Sequence, residues 1–146
     1  MPDYAPHGNY EIWLDPDRDL VIRIAASGFV NLEMLRLHNE RTNEIVAGFK
    51  GRPYVIVCNF NGGMVMTPDA EDAWIKSAVS RVVRGWSGVA YFFGGDAEFK
   101  TLVRAQVTRV LDAIGVPWHE ASDEEAAIAW AMNRLAEAAR PERLTE

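Results

Sequence analysis

The chain has one cysteine, Cys58, so an internal disulfide and a cysteine-built zinc cluster are both excluded. It has three histidines, His7, His38 and His119, and no two stand at a metal-ligating spacing. No apolar run approaches the ~18 residues of a membrane span. The first residues, MPDYAPHGNYE, lack the basic-then-apolar order of a secretory signal, so the expected compartment is the reducing cytoplasm. Positive charge is also scarce: 15 Lys and Arg stand against 21 Asp and Glu, for a net charge of −6. A general nucleic-acid binder needs clustered cations, and this balance argues against one. Neither an internal repeat nor a long linker divides the 146 residues, so a single domain over 1–146 is expected. Its core should span about residues 10–138, between loose ends.

What is present is a well-stocked core. Apolar residues make up 49% and there are five tryptophans. Residues 10–14 and 20–25 alternate in polarity around Asp15-Pro16-Asp17, which predicts an antiparallel hairpin. Ser27-Gly28-Phe29-Val30 then leads into a first helix capped by Asn31. Leu35, His38, Thr42, Ile45, Val46 and Phe49 lie on one face of that helix. Residues 55–58 and 88–93 are apolar on both faces, as in central strands of a largely parallel sheet. Thr67-Pro68-Asp69 opens a second helix, with Thr67 as cap and Pro68 in the first turn. Gly94-Gly95-Asp96 is expected to open a third helix, with Phe99, Leu102, Val103, Gln106, Val110 and Ile114 on its inner stripe and Gly115 at its end. A short strand over 116–121 precedes Ser122-x-x-Glu125, a capping box for a fourth helix. The order is β-β-α-β-α-β-α-β-α. It predicts an α/β fold with a five-stranded mixed, mostly parallel sheet, four helices, and the first strand antiparallel at one edge.

The stretch of greatest interest is 54–74, a strand, a glycine-rich loop and a helix start. Asn61-Gly62-Gly63 can offer backbone N–H groups to an anion, or serve as a turn. Met64, Val65 and Met66 can pack over the sheet end, or present an adaptable apolar contact. Thr67 is a helix cap or a regulated hydroxyl. Cys58 inside a strand is a core thiol, not a nucleophile at a helix start. His38, on an apolar stripe, is a buried hydrogen-bonded imidazole or a ligand. His119 and Glu120 are adjacent in a strand and so face opposite ways. Asp96 and Glu98 are helix-start charges. Arg81, Arg84, Lys100, Arg104 and Arg109 form a basic patch or a solvated face.

The late residues Val110-Leu111-Asp112-Ala113-Ile114-Gly115-Val116 and Glu124-Glu125-Ala126-Ala127-Ile128-Ala129-Trp130, with the succession of elements, give the chain a family resemblance. It resembles the STAS domain, the sulfate-transporter and anti-sigma-factor-antagonist fold, in its SpoIIAA-like branch. The resemblance implies a regulatory domain whose functional loop follows the strand at 54–60. Anti-sigma antagonists carry Asp-Ser-Ser-Gly there, with a serine that a partner kinase phosphorylates. Here Met66-Thr67-Pro68-Asp69 occupies the place, and Thr67 is the only hydroxyl in the loop. Asp69, Glu71 and Asp72 would repel a phosphate at Thr67.

Three readings follow. The first is a non-enzymatic module that contacts a partner protein through Asn61, Gly62, Gly63, Met64, Val65, Met66 and Thr67, without a cofactor. The second is a carrier or sensor of a lipid or small apolar ligand, resting on Met64, Val65, Met66, Trp86, Phe92 and Phe93 and on the family's kinship with CRAL-TRIO domains. An enzyme ranks last, because no nucleophile, base and orienting group can be assembled. A homodimer through the hairpin edge and Trp13 is a further expectation.

Overall fold

The computed structural model describes residues 8–61, 65–95, 97 and 99–139. The expected N-terminal arm with His7, the loop residues Gly62, Gly63 and Met64, the helix-start charges Asp96 and Glu98, and the tail from Arg140 lie outside them.

Strand β1 (Gly8–Leu14) pairs antiparallel with β2 (Val21–Val30), with Tyr10 opposite Ala26 and Leu14 opposite Ile22. The turn is held by Asp15, whose carboxylate accepts from the Asp17 amide at 2.8 Å and from Arg23 at 3.2 Å. β2 runs five residues beyond the end expected at Ala25. Its far end pairs with a two-residue strand, β4 (Val65–Met66), so residues that read as a lead-in to a helix are strand. Gly28, at φ +85, bends β2 there.

Helix α1 (Leu32–Ala47) starts as expected, with Asn31 Oδ1 accepting from the Met34 amide at 3.0 Å. Its buried face is Met34, Leu35, His38 and Thr42. β3 (Tyr54–Phe60) and β5 (Trp86–Phe93) are the central strands and are buried on both faces. Between them runs α2 (Pro68–Val83), capped by Thr67. α3 (Lys100–Ile114) begins later than the Gly94-Gly95 turn. The Gly94 amide still bonds to Phe60 O at 2.9 Å, and the Ala97 amide closes a turn onto Gly94 O. Gly94 and Ala97 are therefore held at the sheet end before the helix begins at Lys100. β6 (Trp118–Glu120) and α4 (Glu124–Ala139) complete the order. The cap of α4 is Asp123, not Ser122: its carboxylate accepts from the Ala126 amide at 2.8 Å. An anionic acceptor complements the helix N-terminus better than a hydroxyl.

The main sheet has five strands in the order β1-β2-β3-β5-β6, all parallel except β1 at the edge. Alternation sorts the core into two layers. Val55 and Val57 pack with Val21, Ala90 and Phe92 against α4, where Ala127 and Ala131 admit close approach. Tyr54, Ile56, Cys58 and Phe60 face the other way, into a larger core with residues of α2 and α3.

Gly85, between α2 and β5, is at φ +123. A Cβ there would stand 3.0 Å from the Arg52 carbonyl oxygen. Gly85→Ala should therefore lower stability by about 1–3 kcal/mol in denaturant melts. A cost near zero would mean that this turn yields freely.

Candidate functional site

The C-terminal ends of β3 and β5 carry the loop singled out in the sequence. Asn61 leaves β3 with its amide bonded to Ala26 O at 3.0 Å. Gly94 passes so close to Asn61 that a Cβ there would stand 1.9 Å from its side-chain oxygen. Val65 and Met66 return parallel to the end of β2. Gln106 of α3 clasps this return: its Nε2 donates to Met66 O and its Oε1 accepts from the Met66 amide, both at 3.1 Å. An amide within an apolar helical stripe was the available sign of that clasp.

The seven loop residues divide. Asn61, Val65 and Thr67 are half-buried, and Gly62, Gly63 and Met64 lie outside the described residues. Met66 is 4% exposed, so it is a core side chain and not an exposed contact. Strand pairing and the Gln106 clasp turn it inward. Thr67 Oγ1 accepts from the Ala70 amide at 3.3 Å, as a cap should. A hydrogen bond from Thr67 helps hold the Asp69 carboxyl below its usual range. Glu71 is paired with Arg109 at 2.7 Å.

Met66 forms part of the wall of an apolar cavity between the sheet and α1 and α2, with Ala26, Cys58, Phe60, Met34 and Trp74. The cavity measures about 60 Å³. A void of about 30 Å³ adjoins it, sharing Cys58, Phe60 and Trp74 and reaching Arg81. Sites for drug-sized ligands run to ~300–1,000 Å³, so this cavity is well below that size. The polar group in the cavity wall is the Tyr10–His38 pair, in which the Tyr10 hydroxyl and His38 Nδ1 are hydrogen-bonded and the rings meet edge-on at 5.4 Å. Burial, and then the nearby Arg81 charge, push the His38 imidazole down to about 3. Burial pushes the Cys58 thiol up to about 12. A protonated thiol and a non-basic imidazole do not make a nucleophile and its base at neutral pH.

The expected basic patch is divided. Arg104 forms a bidentate pair with Glu120, at 2.6 and 2.8 Å, and Arg109 does so with Glu71. Arg81 is buried at the opposite end of the sheet from the loop. His119 stacks on Trp130, with ring centroids 5.5 Å apart.

Phe99 and Leu102 are expected on the inner stripe of α3, but neither is buried, and Phe99 precedes the helix. Phe99 is left-handed, at φ +56, where an aromatic residue is an outlier. It is nonetheless 64% exposed, and Leu102 one turn later is 48% exposed. Both follow β5 on the face that carries the 61–67 loop.

No protein-family model matches the chain, and no curated protein does. Among solved structures, the chain is similar to an uncharacterised protein of the DUF3478 family with a SpoIIAA-like fold, from Shewanella loihica PV-4. The likeness has a TM-score of 0.60 at 17% identity and covers 90% of this chain and 98% of that one. The five-stranded mixed sheet with four helices is accordingly a SpoIIAA-like fold. Among the described residues, no helix is long and apolar enough to cross a membrane.

Proposed function

We propose that this chain is a non-enzymatic binding module that engages a partner protein at the loop end of its sheet. The observation that carries the reading is Phe99. A left-handed conformation costs a non-glycine residue on the order of 1–3 kcal/mol and concentrates at functional positions. Phe99 spends that energy on an exposed ring that packs little of its own core. With Leu102 and the half-buried Val65 it supplies the aromatic and aliphatic anchors that protein interfaces favour. Lys100, beside Phe99, lies over the Phe93 ring at 5.9 Å, so the fitting partner is an apolar patch with acidic groups at its rim.

Two substitutions separate contact from stability. Phe99→Gly should raise stability by on the order of 1 kcal/mol, because glycine is at ease at positive φ. The same change should weaken partner binding about thirtyfold, the loss of a strong anchor. Affinity purification with wild-type, Phe99→Gly and Leu102→Asp baits, followed by mass spectrometry, checks this. A partner retained at full strength by both variants would overturn the reading.

A second reading, a small apolar ligand, rests on the cavity walled by Met66. At about 60 Å³ it suits a ligand of a few heavy atoms better than a lipid. Native mass spectrometry of the purified chain would show such a ligand as added mass.

A further inference from the structure

Arg81 is 4% exposed and lies on the inner side of α2. Burying a guanidinium is costly unless an anion balances it. Its acceptors among the described residues are two neutral amide oxygens: Asn39 Oδ1 at 2.9 Å and Asn43 Oδ1 at 3.4 Å, both from Nη2. Its Nε is buried and has no partner among the described residues. Burial, and after it the Arg84 charge, work against its charged state, and the groups that favour that state are the Tyr54 and Tyr10 hydroxyls. No carboxylate contributes.

The outer side of Arg81 lines an open cleft of about 570 Å³ at the N-terminal ends of β3 and β5, the end of the sheet opposite Phe99. Lys50 and Arg84 are on its rim, Asn43 and Ser87 add neutral polar groups, and among the described residues no acidic side chain lines it. A chain of net charge −6 thus gathers three cations in one cleft and, among the described residues, gives the buried one no counter-ion.

We propose that this cleft binds a phosphate-type oxyanion, with Arg81 donating from the floor and Lys50 and Arg84 closing over it from the rim. A planar, always charged guanidinium held by two asparagines is pre-oriented for an oxyanion, and flexible rim cations add charge without fixed geometry. The anion is free phosphate or the phosphate of a small ester, and the apolar rim at Val46, Pro53 and Val83 would touch the organic part of an ester.

The test titrates the full chain with inorganic phosphate, with phenyl phosphate, and with chloride at equal ionic strength. Amide NMR shifts and the melting temperature are the readouts. Phosphate should shift the amides of Asn43, Gly51, Gly85 and Ser87 saturably and raise the melting temperature, and chloride should do neither. Lys50→Ala with Arg84→Ala should weaken binding about tenfold, because both rim charges are lost. Their side chains are exposed, so this variant stays folded where Arg81→Met does not. Tighter binding of phenyl phosphate supports an ester ligand, and equal binding supports the free ion. Phosphate acting no differently from chloride, or binding the double variant as it binds the wild type, overturns the proposal. The cleft is remote from the Phe99 face, so either outcome leaves the partner-binding test intact.

Discussion

Tyr91→Ala should come close to unfolding the chain, with a loss of roughly 3–5 kcal/mol in chemical denaturation, the range for deleting a buried aromatic ring. Tyr91 is fully buried in the central strand β5. Its ring is tilted against Phe60 at 5.5 Å, edge-on to Phe93 at 5.9 Å and stacked with Trp118 at 6.2 Å. One truncation therefore strips contacts from β3, from β5 itself and from the start of β6. Domains of this size are stable by only ~5–15 kcal/mol, so the remainder is small. Tyr91→Phe is the control. It keeps the rings and loses only the hydroxyl bond to Glu120 Oε1 at 3.1 Å, in a group that Arg104 already holds bidentately. That change should cost about 1 kcal/mol. If alanine cost no more than phenylalanine, the aromatic layer would be collapsing around the void, and its role as the joint of the sheet would be lost.

The parts of the fold legible in the sequence were those set by local pattern. Strands apolar on both faces marked β3 and β5 as central, and alternation around Asp15-Pro16-Asp17 marked the edge hairpin. The caps Asn31 and Thr67 and the stop at Gly115 obey local stereochemistry and lie where expected. What escaped depends on partners distant in the chain. β4 has only two residues, too few for any periodicity, and exists because the end of β2 lies beside it. The late start of α3 follows from the Gly94 amide bonding to Phe60, a contact that no turn rule contains.

The site was legible in a different proportion. The loop after β3 is at the expected end of the sheet, but Met66 points inward because strand pairing, not polarity, sets its direction. Phe99 has the spacing of an inner-stripe residue but stands outside, since its backbone opposes its own residue preference. Arg81 left a trace that was available. Ala70, Trp74, Ala78 and Arg81 recur at helical spacing, so the arginine continues the inner stripe of α2. A cation on an apolar stripe is a stronger sign of a site than five cations scattered over two helices, three of which have found carboxylates or aromatic faces.

Lowering the pH from 6.5 to 5 should cost the wild-type chain about 1–2 kcal/mol of stability, and His38→Gln should remove most of that slope. The sign follows from which state binds the proton. Burial and the nearby Arg81 charge push the folded imidazole from its ordinary 6.5 to about 3. Above pH 6.5 it is neutral in both states and contributes no slope. Between 6.5 and 3 the unfolded chain takes up the proton and the folded chain does not, so stability falls as acid is added. Below about 3 the folded form titrates too and the loss levels off. The lowered carboxyls of Asp15 and Glu120 act only further down, because their unfolded values are near 3.8 and 4.5. The interval from 6.5 to 5 therefore isolates His38 from both. Glutamine keeps an acceptor for the Tyr10 hydroxyl and cannot titrate, so the difference between the two pH profiles reports the imidazole itself. Urea melts at several pH values check this. A wild-type profile that is flat across the interval would mean that His38 takes up a proton inside the fold, and that the Tyr10–His38 pair joining β1 to α1 is open to water.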